Sequence, residues 1–177
     1  MQSDYLLTIK YLNKSLEYFD TKYFVTNRYK DGRGYVLISL GVMYNKIGNT
    51  KQSRGNYFEG LRIFEELKNT PAVSYALQSI ANLHFEQKKY NLALQYYLKA
   101  YDIYYKKDEL SYQDNIQKAL LFISIGKCHQ ELRHCDLSEN YLNKGLAIAI
   151  KLNDKDILSE IYFNLGQNKE RCDKDID

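Results

Sequence analysis

Cys128, His129, His134 and Cys135 crowd the stretch GKCHQELRHC, residues 126–135. Thiolate and imidazole are the donors zinc takes, and a structural zinc needs four of them converging at about 2.0–2.3 Å. Neighbours on a helix point about 100° apart, so Cys128 and His129 diverge if the stretch is helical. His134 and Cys135 then fall at a turn and a helix start, and nothing aims the four at one point. The expectation is packing, with no metal and no cofactor.

Other chemistry is thin. DGRG (Asp31 to Gly34) has two spaced glycines but no preceding strand and no third glycine, so it reads as a helix-start loop and not as a dinucleotide cradle. No nucleophile, base and acid stand in a catalytic arrangement, and the carboxylates of FEEL (Phe64 to Leu67) suit a solvated helix face. An enzyme is not expected.

The elements must explain the pattern instead. One proline in 177 residues argues for a mostly helical chain, since loop-rich folds need more punctuation. A formal charge of +3 with acids and bases interleaved makes no basic stripe, so nucleic acid is not an expected partner. No apolar run is long enough to cross a membrane, and the N-terminus lacks the basic and apolar regions of a secretory signal. Three cysteines do not make a disulfide framework, which leads to an expectation of reduced thiols and a cytoplasmic protein.

Small residues recur. Gly41, Ala81 and Gly126 are each followed twelve residues later by Ser53, Ala93 and Ser138, and seven further on by Gly60, Ala100 and Gly145. Gly166 repeats the first slot, and Thr8 and Ser15 repeat the second and third. Apolar residues stand at helical spacing around them, as in Leu37, Leu40, Gly41 and Tyr44, or Tyr90, Ala93, Leu94, Tyr97 and Tyr101. Gly48 and Asn49 supply a helix stop and an N-cap. Pro71 suits a first helical turn, and SYQD (Ser111 to Asp114) reads as a capping box.

This spacing on paired helices resembles the tetratricopeptide repeat family over nearly the whole chain. Bulky slots agree, with Leu37, Leu77, Phe122 and Tyr162 in one, Leu40, Ile80, Ile125 and Leu165 in another, and Tyr57, Tyr97 and Leu142 in a third. The units are longer than the family's usual repeat, by an extra turn or more between helices. In that respect they look like repeats of bacterial signalling and peptide-sensing regulators. The slot after the first small residue, commonly tyrosine in the family, holds Tyr44, His84 and His129. The slot opening the second helix holds Tyr5, Tyr90 and Cys135, so His129 and Cys135 stand where aromatic rings pack.

The resemblance implies one all-α domain, a right-handed α-α superhelix of about three full helix pairs with a half repeat at each end. Its parts are 5–20 (a second helix alone), 34–73, 74–118, 119–158 and 159–177 (a partial repeat). It also implies a concave groove lined by Tyr35, Ser39, Val42, Asn45 and Lys46 in the first unit and Tyr75, Ser79, Asn82, Phe85 and Glu86 in the second. The third adds Ser124, Lys127, Gln130 and Glu131, and the last half-unit Asn164, Gln167 and Arg171. Serines and amides beside aromatic rings suit an extended peptide or a partner's helix. The expected function is a protein- or peptide-binding scaffold, the regulatory or sensor part of a larger signalling protein. The alternatives are a receptor groove for a short signalling peptide and the regulatory domain of an attached cyclase or kinase. Apolar faces left open at the two ends imply an excised piece of a longer protein, with homodimerisation through those ends as the other outcome.

Overall fold

The computed structural model describes residues 2–19, 26–105 and 110–173. Among them stand eight α-helices and no strand: α1 (Gln2–Phe19), α2 (Asn27–Lys46), α3 (Thr50–Glu66), α4 (Thr70–Glu86), α5 (Tyr90–Tyr105), α6 (Tyr112–Glu131), α7 (Cys135–Leu152) and α8 (Lys155–Asp173). The all-α repeat architecture is as expected. The added length of the units is not: it lies in the helices, of 16 to 20 residues, while the turns between them stay short.

Those turns share one backbone solution. Gly48, Lys68, Lys88, Arg133 and Asn153 all take positive φ, between 52° and 76°. The next residue's amide reaches back over the helix end, from Asn49 to the Tyr44 carbonyl at 2.8 Å, and from Asn69 to Phe64 at 3.0 Å. The same bond runs from His134 to His129 at 2.9 Å and from Asp154 to Ala149 at 3.2 Å. This closure satisfies carbonyls the helix would leave orphaned. Side chains then start the following helix: Asn49 accepts from the Gln52 amide, Asn69 from Ala72 and Asp154 from Ile157. Ser111 and Asp114 form the expected capping box, and Pro71 is the second residue of α4.

The chain divides into two compact units, Met1–Leu83 and His84–Asp177. In the first, α2 packs on α1 and α3. The helices approach so closely that a methyl on Gly41 would lie 2.5 Å from the Tyr57 ring, and one on Gly60 would lie 2.8 Å from Ile38. DGRG is no loop, because Asp31 to Gly34 lie inside α2. Gly34 tolerates its helical interior because its bare Cα admits the Phe64 ring, 2.5 Å from where a methyl would sit. The expected first helix, 5–20, ends at a residue outside the described ones, which leave out 20–25.

In the second unit α6 packs on α5, α7 and α8, and α7 packs on α8. Ala119, Ile123, Leu142, Ala149, Ile157 and Ile161 form its core. A methyl on Gly126 would press on Leu142 at 2.9 Å. Ser53, Ala93 and Ser138, the recurring second slot, are all fully buried.

One expectation is overturned. Cys135 and Cys172 are joined in a disulfide, their Cα atoms 6.2 Å apart, and only Cys128 is free. The expected trio of reduced thiols does not hold, and the argument for a cytoplasmic location that rested on it falls away.

Candidate functional site

The first-helix faces of the two units are taken separately. In the first unit, Tyr35 on α2 and Tyr75 on α4 stand 40 residues apart in the repeat and remain 41% and 44% exposed. Their rings lie 6.2 Å apart at 37°, and Tyr35 also leans on Phe64 at 4.9 Å. Asn69, which caps α4, donates to Asp31 Oδ1 at 2.7 Å. Burial raises the Tyr35 hydroxyl pKa above its ordinary value, and negative charge at Asp31 and Tyr75 adds to this, against a hydrogen bond from Asn69. Two exposed rings are therefore seated on a polar bracket that fixes where α4 starts relative to α2.

The serine column turns inward. Ser39 Oγ donates to the Tyr35 carbonyl at 2.9 Å, Ser79 to Tyr75 at 3.0 Å and Ser124 to Leu120 at 3.0 Å. Each hydroxyl spends its proton on its own helix, as serine in a helix interior tends to. Ser79 is buried, Ser39 and Val42 are half-buried, and Asn82 and Lys46 are exposed. Asn45 is half-buried.

In the second unit the expected groove residues form a seam between α6 and α8. Gln130 is buried and donates to the Asn164 carbonyl at 2.8 Å. Asn164, also buried, donates to the Glu160 carbonyl at 2.7 Å. Arg171 pairs with Glu131 at 2.6 Å, and Lys127 approaches Glu160 at 3.9 Å. Partial burial and the neighbouring Glu131 raise the Tyr90 hydroxyl pKa, with Arg171 opposing. Phe85 packs on Tyr90 at 5.2 Å, Ser124 and Gln167 are half-buried, and Glu86 is exposed. Gln130 and Asn164 are thus buried with their amide N–H groups spent on the seam.

The stretch that opened the sequence is accounted for by packing and by the disulfide. His129 is buried, stacked on Tyr141 at 5.5 Å with interplanar angle 14°, and its Nδ1 lies 3.4 Å from that of His134. Burial first, then His134, lowers its pKa. Cys128 is fully buried, which pushes its thiol up to about 12. Among the described residues no group of three or more His, Cys, Asp or Glu side chains could hold a metal ion.

Sequence reasoning missed Cys172. A signal was present, because α7 and α8 fold back about Asn153 and Asp154. Cys135 lies 18 residues before the first and Cys172 18 after the second, so antiparallel helices bring them level.

Residues 33–106 match the family model described as tetratricopeptide repeat. Those 74 of the chain's 177 residues are similar to tetratricopeptide repeats. No curated protein matches the chain. Among solved structures, the chain is similar to Pseudomonas aeruginosa pilF at 18% identity and a TM-score of 0.35, over 78% of each chain. At that level of likeness nothing of the other protein's role passes to this one. The family supports a protein–protein interaction scaffold, built from repeats that are typically non-catalytic. No helix among the described residues is long and apolar enough to cross a membrane.

Proposed function

We propose that this chain is a non-enzymatic module that binds an extended peptide or a partner's helix, with Tyr35 and Tyr75 as its anchors. The observation that carries this reading is the pair of half-exposed rings, 6.2 Å apart at equivalent positions of α2 and α4. Rings of this kind supply large contact area at low conformational cost, and hot spots in interfaces are enriched in tyrosine. Val42, Asn45, Lys46 and Asn82 continue the same faces, Val42 adding apolar surface and the other three polar groups. In the second unit the flanking candidates are Lys127, Glu131, Gln167 and Arg171. Such a module acts as the regulatory or sensor part of a larger signalling protein.

Selection from a random peptide library on the immobilised protein, followed by calorimetric titration, tests the reading. Selected peptides bind with micromolar affinity, and Tyr35→Ala and Tyr75→Ala each weaken them about tenfold, near 1.4 kcal/mol. Glu65→Ala, on an exposed part of α3, leaves affinity unchanged. Failure to select any binder, or binding indifferent to both tyrosines, rejects the site.

A further inference from the structure

The slots that the repeats fill from within are open on α8. The first bulky slot is 2% exposed at Leu37, 8% at Leu77 and 4% at Phe122, yet 58% at Tyr162. The first small slot is pressed by Tyr57 at Gly41 and by Leu142 at Gly126, while nothing lies within 4 Å of a methyl built on Gly166. Phe163 beside it is exposed too. Gly166 lines a cleft of about 560 Å³ between α7 and α8, walled by Asp136, Glu139, Leu165 and Lys169 and bordered by the disulfide.

The complementary half is α1. Its Leu12 stands four residues after Thr8, as Tyr57 follows Ser53 and Leu142 follows Ser138. Thr8 is exposed where Ser53 and Ser138 are fully buried. Tyr11 matches Tyr141, which packs on Phe122 and His129 of its own first helix, yet Tyr11 is largely exposed. Lys10 and Lys14, also exposed, bring positive charge to a cleft wall that carries Asp136 and Glu139.

We propose that the α7–α8 cleft seats α1 of a second copy of this chain, with Leu12 over Gly166, completing in trans the helix pair that α8 begins. Tyr11 of that copy then lies against Tyr162, as Tyr141 lies against Phe122. The contact is head-to-tail, because the surface given by one copy differs from the surface it receives.

Two measurements decide it. Chains carrying Leu12→Cys and chains carrying Gly166→Cys, one of them mass-tagged, are mixed and oxidised with the native disulfide intact. The expected product is a mixed dimer linked 12 to 166, absent from either chain alone. Links of 12 to 12 or 166 to 166 overturn the proposal by showing a like-to-like contact. Sedimentation equilibrium should show self-association of the unaltered chain at micromolar concentration, weakened at least tenfold by Gly166→Leu. That substitution meets open space within its own chain and replaces a helical glycine by a better helix former, so its melting temperature at high dilution does not fall and the loss reports the contact, not folding. A chain that stays monomeric to millimolar concentration, or association untouched by Gly166→Leu, also overturns it. Neither measurement involves a peptide ligand, so the Tyr35–Tyr75 reading stands or falls separately.

Discussion

Gly41 and Gly55 both lie in helices of the first unit, yet they ask opposite things of a substitution. A methyl at Gly41 meets the Tyr57 ring at 2.5 Å, closer than any side chain tolerates, whereas one at Gly55 meets nothing. Gly41→Ala is expected to destabilise by roughly 1–3 kcal/mol through overpacking. Gly55→Ala should stabilise by about 0.5–1 kcal/mol through backbone entropy and helix propensity. Urea denaturation of both decides, and equal midpoints would refute the close approach. The serines of the second slot supply an independent test. Ser53 and Ser138 bury hydroxyls that have no hydrogen-bond partner, and the middle repeat fills the same slot with Ala93. Ser138→Ala is expected to raise stability by about 1 kcal/mol, since an unsatisfied buried hydroxyl costs about that or more. A drop in the melting temperature would show a partner for that oxygen. These slots were readable in the sequence because close helix crossings admit few residue types. Which serines would keep their hydroxyls for a ligand was not readable, since that depends on whether the carbonyl one turn back is within reach.

Helices and their caps carried the clearest signals: Gly48 with Asn49, Pro71 and the Ser111–Asp114 box each stand where their local chemistry requires. Lys68, Lys88 and Arg133 gave no such signal. Nothing in a lysine or arginine announces a left-handed φ, and these residues adopt it because the returning amide and the packed helices on either side impose it. The same register argument extends to the disulfide between the start of α7 and the end of α8. It closes a span of 37 residues, and loop-closure entropy assigns such a span about 4 kcal/mol. Reduction is therefore expected to lower the melting temperature of the second unit, with Cys135→Ser reproducing the loss. The unreduced native protein should give no thiol reactive toward Ellman's reagent at mildly alkaline pH, because burial holds Cys128 protonated and covered. On denaturation without reductant it should release one thiol per chain, and a count of three would exclude the bond.

At the scale of the molecule, the two proposals call on two kinds of surface. The half-exposed tyrosines of the first unit suit a foreign peptide, while α1 and the α7–α8 cleft suit each other. The interaction class was legible because the repeat spacing repeats faithfully along the chain. The expected groove was legible only in part. Tyr35 and Tyr75 do stand exposed, but Gln130 and Asn164 were drawn into the seam between α6 and α8, where amides close neighbouring backbones. Position along a helix predicts a face, whereas the partner across that face comes from the fold. The disulfide borders the cleft that receives the second copy, and this has a consequence for assembly. Severing it frees the tail of α8 from α7 at the rim of that seat, so the thiol balance of the surroundings becomes a dial on how far copies string together.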